Sequence, residues 1–65
     1  MNKRLFMKTY DLHEIRYFLV KRPFLRNVIE PDVFDAIRYR QWEEISGGLI
    51  RELSVFISGY KTAKS

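Results

Sequence analysis

This chain contains no cysteine, only three glycines and two prolines, and no long apolar run. Without cysteine there can be no disulfide, no thiolate nucleophile and no cysteine-containing zinc site, so packing alone must stabilise the fold. The longest apolar run is Tyr17-Phe18-Leu19-Val20, which is far shorter than the about 20 residues needed to span a bilayer. We therefore expect a cytoplasmic protein with no membrane partner.

The sequence is also poor in the residue combinations that enzymes use. His13 is the only histidine, and a metal site would need several more ligands. Asp32 and Asp35 share a helix face, where acids near a helix start normally complement the helix dipole. The Gly47-Gly48 pair lacks the lysine of a phosphate loop, and the serines have no base nearby in sequence. The sequence predicts no enzyme activity, no metal and no cofactor.

Length and composition limit the size of the core. A chain of 65 residues forms one domain and buries only about 60% of the surface of its unfolded chain. Hydrophobic residues at 46% and charged residues at 31% are typical of a globular protein. The ten aromatic residues exceed what so small a core can enclose, so some should lie on a surface that binds a partner. The simplest partner is a second copy of the chain, in a homodimer.

Asp11 and Glu14 give the first helix signal. Their spacing is that of a capping box, in which each side chain accepts a hydrogen bond from the backbone amide of the other residue. Pro23 disfavours helical geometry at the residue before it. Between these limits, one face carries the apolar residues Leu12, Ile15, Phe18 and Leu19. The sequence predicts a helix over residues 11–21.

Two more helices are predicted downstream. Glu30-Pro31-Asp32 is typical of a helix start, because proline suits the first turn and acids favour the positive end of the dipole. Gly47-Gly48 should end that helix as a left-handed C-cap. Ser54 should face outward, opposite the apolar residues Leu49, Leu53, Phe56 and Tyr60. The sequence therefore predicts helices over residues 31–46 and 49–59.

The predicted fold class is all-α: a single small three-helix domain over residues 1–65, with a basic N-terminal arm or short strand at residues 3–9. The competing assignment is a strand over residues 53–57, where apolar side chains alternate. A ribbon-helix-helix dimer is disfavoured because Pro23 and a second apolar cluster replace the tight glycine turn. A helix-turn-helix through residues 46–48 is disfavoured because its recognition helix would have little positive charge.

Charge is segregated along the chain. Residues 1–26 carry seven basic and two acidic residues, a net charge of +5, whereas residues 27–52 carry three basic and six acidic residues, a net charge of −3. Such a distribution gives one face that attracts polyanions and another that repels them. Nucleic acid is therefore a candidate partner, although the same cations could serve only to keep the chain soluble.

The candidate nucleic-acid-binding residues are the cations of the N-terminal arm and first helix, together with a tyrosine that could stack on a base: Lys3, Arg4, Lys8, Arg16, Tyr17, Lys21, Arg22 and Arg26. The candidate interface residues are Tyr39, Trp42 and Phe56, because aromatic side chains dominate binding hot spots. In the alternative interpretation, Trp42 closes the edge of the core.

Two functions follow from these features. The first is a small, basic regulatory protein that binds nucleic acid, with duplex DNA as the expected form, through its N-terminal surface as a homodimer. The second is a non-enzymatic protein-interaction module, an adaptor or inhibitor, that binds a partner protein through its aromatic surface. Small size and basicity are typical of phage or bacterial regulators, which is a compositional analogy and not a motif match.

Overall fold

The first helix begins at the Asp11 and Glu14 pair. In the computed structural model, which describes residues 9–64, helix α1 spans Leu12–Val20. Asp11 Oδ1 accepts a hydrogen bond from the Glu14 amide at 2.8 Å, and Glu14 Oε1 accepts one from the Asp11 amide at 3.1 Å. The predicted capping box is confirmed. The helix ends ahead of Pro23, where a 3₁₀-helix over Pro23–Asn27 begins.

The second helix is shorter than the sequence predicts. Helix α2 spans Pro31–Arg38, and its predicted extension to residue 46 is wrong because Arg40 adopts a left-handed φ of 63°. The Arg40 amide donates to the Ile37 carbonyl at 3.2 Å, and the Gln41 amide donates to the Ala36 carbonyl at 2.8 Å. These are the paired bonds of a Schellman motif, whose left-handed position usually carries glycine. An arginine there gives no sequence signal for a helix end.

The third helix is longer than the sequence predicts. Helix α3 spans Gly47–Lys64 and follows a short 3₁₀-helix at Trp42–Glu44. Ser46 begins it, because the Ser46 hydroxyl accepts a hydrogen bond from the Leu49 amide at 3.1 Å. The predicted glycine C-cap is therefore wrong: both glycines lie in the first turn of α3, with negative φ. A Ser-Gly-Gly sequence is compatible with either end of a helix.

The all-α fold class is confirmed. Residues 9–64 contain three α-helices and no strand. The alternative strand over residues 53–57 is wrong, because the α3 backbone runs through that segment. The arm or strand predicted at residues 3–9 lies outside the described residues except for Thr9, which is not in a strand. Within the described part of the chain, no helix has the length and apolar character needed to cross a membrane.

The core forms where α1 packs against both α2 and α3. Ile15 and Leu19 of α1, Phe34 and Ile37 of α2, and Ile57 of α3 are almost fully buried. Their burial removes apolar surface from water, which is the main source of stability in a chain without disulfides.

Ser54 lies inside this core, which contradicts the prediction that it faces outward. Its hydroxyl accepts a hydrogen bond from the backbone amide of Tyr10 at 2.9 Å, and both residues are buried. A buried amide without a partner would be costly. The bond therefore stabilises the packing of the segment before α1 onto the middle of α3. It also explains why a polar residue occupies the buried face of that helix.

The left-handed residue predicts a stabilising substitution. Arg40→Gly should raise the free energy of unfolding by about 1 kcal/mol, because glycine adopts positive φ without the clash of a Cβ atom. Urea denaturation at equilibrium would measure the change as a higher midpoint with an unchanged slope. Arg40→Ala is the matched control, since it removes the same side chain but keeps the Cβ atom. Equal stability of the two variants would contradict the assignment of strain to this turn.

Candidate nucleic-acid interface

A groove between α1 and the C-terminal half of α3 has walls of cationic and aromatic side chains. Its volume is about 260 Å³. One wall is the buried Tyr10, whose backbone is held by the bond to Ser54. We call this the basic groove, and its lining residues are Tyr10, Glu14, Tyr17, Phe18, Lys21, Arg22, Ile57 and Lys61.

Arg22 is held in the basic groove by two kinds of contact. Its guanidinium carbon lies 3.9 Å from the centroid of the Phe18 ring and 5.5 Å from that of Tyr60. Its Nη1 also donates a hydrogen bond to the Phe18 carbonyl at 3.1 Å. The cation–π contacts and the hydrogen bond together restrain the position of the guanidinium. The other N–H groups of this five-donor side chain can bind water or an anion.

The two lysines of the basic groove also lie over aromatic rings. Lys21 Nζ is 3.2 Å from the Tyr17 hydroxyl and 4.9 Å from the centroid of its ring. Lys61 Nζ, from α3, is 5.0 Å from the centroid of the Tyr10 ring. Among the described lining residues, Glu14 is the one acid, and its carboxylate caps the first turn of α1. The groove therefore carries a net positive charge.

The structure brings together three of the residues predicted for nucleic-acid binding: Tyr17, Lys21 and Arg22. Sequence reasoning missed Tyr10, Phe18 and Lys61. Lys61 was missed because the third helix was predicted to end at residue 59, whereas α3 continues to Lys64. The signal was present in the spacing: Lys61 follows the core residue Ile57 by four positions and so lies on the same side of a continued helix.

Two other predicted cations are engaged elsewhere. Arg16 Nε donates to the carbonyl of Arg38 at 2.9 Å, at the C-terminus of α2. Arg26 forms a bidentate pair with the Asp35 carboxylate, with distances of 3.0 and 2.9 Å. Both side chains thus make contacts within the fold. Lys3, Arg4 and Lys8 lie outside the described residues.

The pair with Arg26 changes the titration of Asp35. The hydrogen bond from Arg26 lowers the pKa of the Asp35 carboxyl below its usual value, and the positive charges of Arg26 and Arg38 act in the same direction. Arg38 Nη2 lies 3.5 Å from Asp35 Oδ1. The same pairing raises the pKa of Arg26. Asp35 therefore remains ionised beside two guanidinium groups.

The predicted interface residues make separate contacts. Tyr39 is exposed and its hydroxyl accepts a hydrogen bond from Arg38 Nη2 at 2.8 Å. Trp42 is half-buried: its Nε1 donates to the Ile37 carbonyl at 3.0 Å, and its ring meets His13 edge-on at 4.8 Å. Within residues 9–64, no three potential metal-ligating side chains cluster.

Phe56 lines a second groove, between the segment before α2 and the first half of α3. This apolar groove also has a volume of about 260 Å³. Val28 at its edge is 65% exposed, and nearby in sequence Phe24 is 56% exposed. Two carboxylates, Glu30 and Glu52, interrupt the otherwise apolar lining, which consists of Val28, Ile29, Glu30, Val33, Leu49, Glu52, Leu53 and Phe56.

The Arg26–Asp35 pair predicts a pH-dependent contribution to stability. Because the folded pKa of Asp35 is lowered, the carboxylate stabilises the fold above its unfolded pKa, near the ordinary 3.8, and this stabilisation is lost as pH falls through the folded value. Asp35→Asn should therefore lower the Tm at about pH 7, with a difference from wild type that shrinks below about pH 4. In an Arg26→Gln background, Asp35→Asn should have a smaller effect. A Tm difference between wild type and Asp35→Asn that does not vary with pH would contradict the pairing.

Comparison with known proteins returned no similar protein. No protein-family model matches the chain. No curated protein and no solved structure matches it either. Its function is therefore inferred from the two grooves and their chemistry.

Proposed function

We propose that the protein binds nucleic acid through the basic groove. The observation that carries this proposal is the convergence of Lys21 and Arg22, beside α1, with Lys61 of α3 on one groove that contains a single acid among its described lining residues. Clustered cations raise the local positive potential and attract the phosphates of a polyanion. Two of these cations, Lys21 and Arg22, come from the basic segment 1–26, and the third comes from the other end of the chain.

The two lysines of the groove are available to a ligand, whereas Arg26 is paired with a carboxylate and Arg16 donates to a backbone carbonyl. The ion pairs found within residues 9–64 join Asp35 to Arg26 and Arg38, and they do not involve Lys21 or Lys61. Both lysines are exposed at the surface. Because each ammonium already lies near an aromatic ring, less side-chain freedom is lost when it binds a phosphate.

Further cations belong to the proposed surface by their position in the chain. Lys8, Arg4 and Lys3 precede Tyr10, a wall of the basic groove, in the sequence. We include these cations in the proposed surface because they precede a wall of the groove. A regulatory role and a homodimeric state are also part of the proposal, and they rest on the sequence alone.

Neutralising the groove lysines tests the proposal. The double variant Lys21→Gln/Lys61→Gln should bind a fluorescein-labelled oligonucleotide about tenfold more weakly at ~50 mM salt, because fewer condensed counterions are released from the phosphates. The slope of log affinity against log salt should fall by about 1 for each lysine lost. Fluorescence anisotropy across a salt series between ~50 and ~200 mM measures both quantities.

The matched control removes the same charge elsewhere. Arg40→Gln/Arg51→Gln neutralises two exposed cations that do not line the groove, so it should change affinity and slope much less. If the two double variants lose the same affinity for the oligonucleotide, net charge alone governs binding and the groove is not the binding site. Wild-type protein that binds no oligonucleotide at ~50 mM salt would reject the proposal. Circular dichroism would confirm that all variants fold.

The apolar groove supports a second candidate function, binding of a partner protein. Its lining combines apolar side chains with Glu30 and Glu52, and Val28 at its edge is largely exposed. An amphipathic segment with an apolar stripe and flanking lysine or arginine residues would match both features. The partner in this second proposal is such a segment of another protein, and the basic groove would then only favour solubility.

Model peptides test this second candidate. An amphipathic peptide of leucine and lysine should bind more tightly than one of leucine and glutamate, even though the protein itself has a net charge of +4. Glu30→Lys/Glu52→Lys should reverse this preference, since the attraction comes from the groove. Equal binding of both peptides would reject the candidate. If sedimentation equilibrium instead gives twice the 7.9 kDa monomer mass and the double variant is monomeric, a second copy occupies the groove.

A further inference from the structure

The shape of the basic groove distinguishes between forms of nucleic acid. Its volume of about 260 Å³ lies just below the range of small-molecule pockets, which begins at about 300 Å³. That space suits one planar ring system. A duplex keeps its bases inside a convex cylinder, and proteins read it with elements that protrude into its grooves. The cations here line a depression, which suits an unpaired base better than the surface of a duplex.

Tyr17 supplies a stacking surface at the groove. Tyr17 is 66% exposed, so its ring is accessible at the surface. Lys21 Nζ lies 3.2 Å from its hydroxyl. An exposed ring next to a cation is the arrangement that single-strand-binding proteins use, because a base stacks on the ring while the adjacent phosphate meets the cation.

Arg22 supplies a second planar surface. Its guanidinium carbon lies over the Phe18 ring, 3.9 Å from the centroid and 5.5 Å from that of Tyr60, and its Nη1 donates to the Phe18 carbonyl. Guanidinium planes stack on unpaired bases as aromatic rings do. Arg22 also carries charge, so one residue can contact both a base and a phosphate. Neither contact requires base pairing in the ligand.

Tyr39 shows that exposure alone does not make such a site. Tyr39 is 62% exposed, nearly as much as Tyr17. Its neighbouring cation, Arg38, lies 3.5 Å from the Asp35 carboxylate, and Tyr39 does not line the basic groove. Tyr17 combines an exposed ring, an adjacent cation and a concave surface, whereas Tyr39 has only the exposed ring beside a paired cation. The two residues therefore form a matched pair for mutagenesis.

We propose that the ligand of the basic groove is single-stranded nucleic acid, DNA or RNA, with an unpaired base stacked against Tyr17 and Arg22 and the flanking phosphates bound by Lys21, Arg22 and Lys61. This inference rests on the proposed function and specifies the ligand of the same groove. Stacking of an unpaired base is distinct from attraction of phosphates by charge. A surface that recognised charge alone would favour the duplex, which has the higher charge density.

Three labelled probes test the inference: oligo(dT) and oligo(rU) of about 12 nucleotides, within the range of known single-strand sites, and a G·C-rich DNA hairpin with a stem of about 12 base pairs, which remains double-stranded at low salt. Anisotropy at ~50 mM salt should show at least about tenfold tighter binding of one or both single strands than of the duplex. Tyr17→Leu should weaken single-strand binding by about tenfold, the loss expected for one base stack, and leave the salt slope unchanged. Tyr39→Leu should have no such effect.

The outcomes separate this inference from the proposed function. A duplex that binds as tightly as the single strands, or equal effects of Tyr17→Leu and Tyr39→Leu, would overturn the single-strand assignment while leaving phosphate binding at the groove in place. If none of the three probes binds, the proposed function fails together with the inference. The two single-stranded probes distinguish RNA from DNA, because only RNA carries the 2′-hydroxyl. Thermal melting followed by circular dichroism would confirm the fold of both tyrosine variants.

Discussion

The buried hydrogen bond from the Tyr10 amide to the Ser54 hydroxyl is the contact on which the basic groove depends. It joins residues 44 positions apart in the chain and holds the segment before α1 against the middle of α3. The capping box at Asp11 then starts α1 directly beyond this attachment. Tyr10, which also packs in the hydrophobic core, forms a wall of the groove at this attachment. Removal of the Ser54 hydroxyl would break this buried hydrogen bond and so lower the free energy of unfolding.

The same aromatic residues serve the core and the surface. Phe18 is buried and packs edge-on against Tyr60, and its ring also lies beneath the Arg22 guanidinium. Tyr10 is buried and lies under Lys61. A 65-residue chain has too little interior to enclose all its rings, so rings at the core boundary meet the cations above them. This arrangement orders the cations by contact with aromatic rings, and within residues 9–64 no ion pair involves Lys21 or Lys61.

Cations with similar sequence surroundings have different contacts in the fold. Arg26 pairs with Asp35 across the link between the first 3₁₀-helix and α2, and Arg16 donates to the carbonyl of Arg38 at the end of α2. Lys61 is far from the basic N-terminal segment in sequence, yet it joins Lys21 and Arg22 at one groove. The net charge of +5 over residues 1–26 therefore overstates the charge that this segment offers to a ligand. Part of that charge is neutralised within the fold, and α3 contributes a cation from the other end of the chain.

The sequence by itself determined the helical class and the start of α1, because the capping box and apolar spacing are local features that act between neighbouring residues. It also predicted Tyr17, Lys21 and Arg22 as candidate binding residues, and these three are close in sequence at the end of one helix. Only the tertiary structure decided where α2 ends, since the strain of a left-handed arginine is accepted only when surrounding packing over-determines the turn. Only the tertiary structure placed Ser54 inside the core and Lys61 beside Tyr10. Both placements depend on how α1 and α3 meet, a long-range contact that no local sequence pattern specifies.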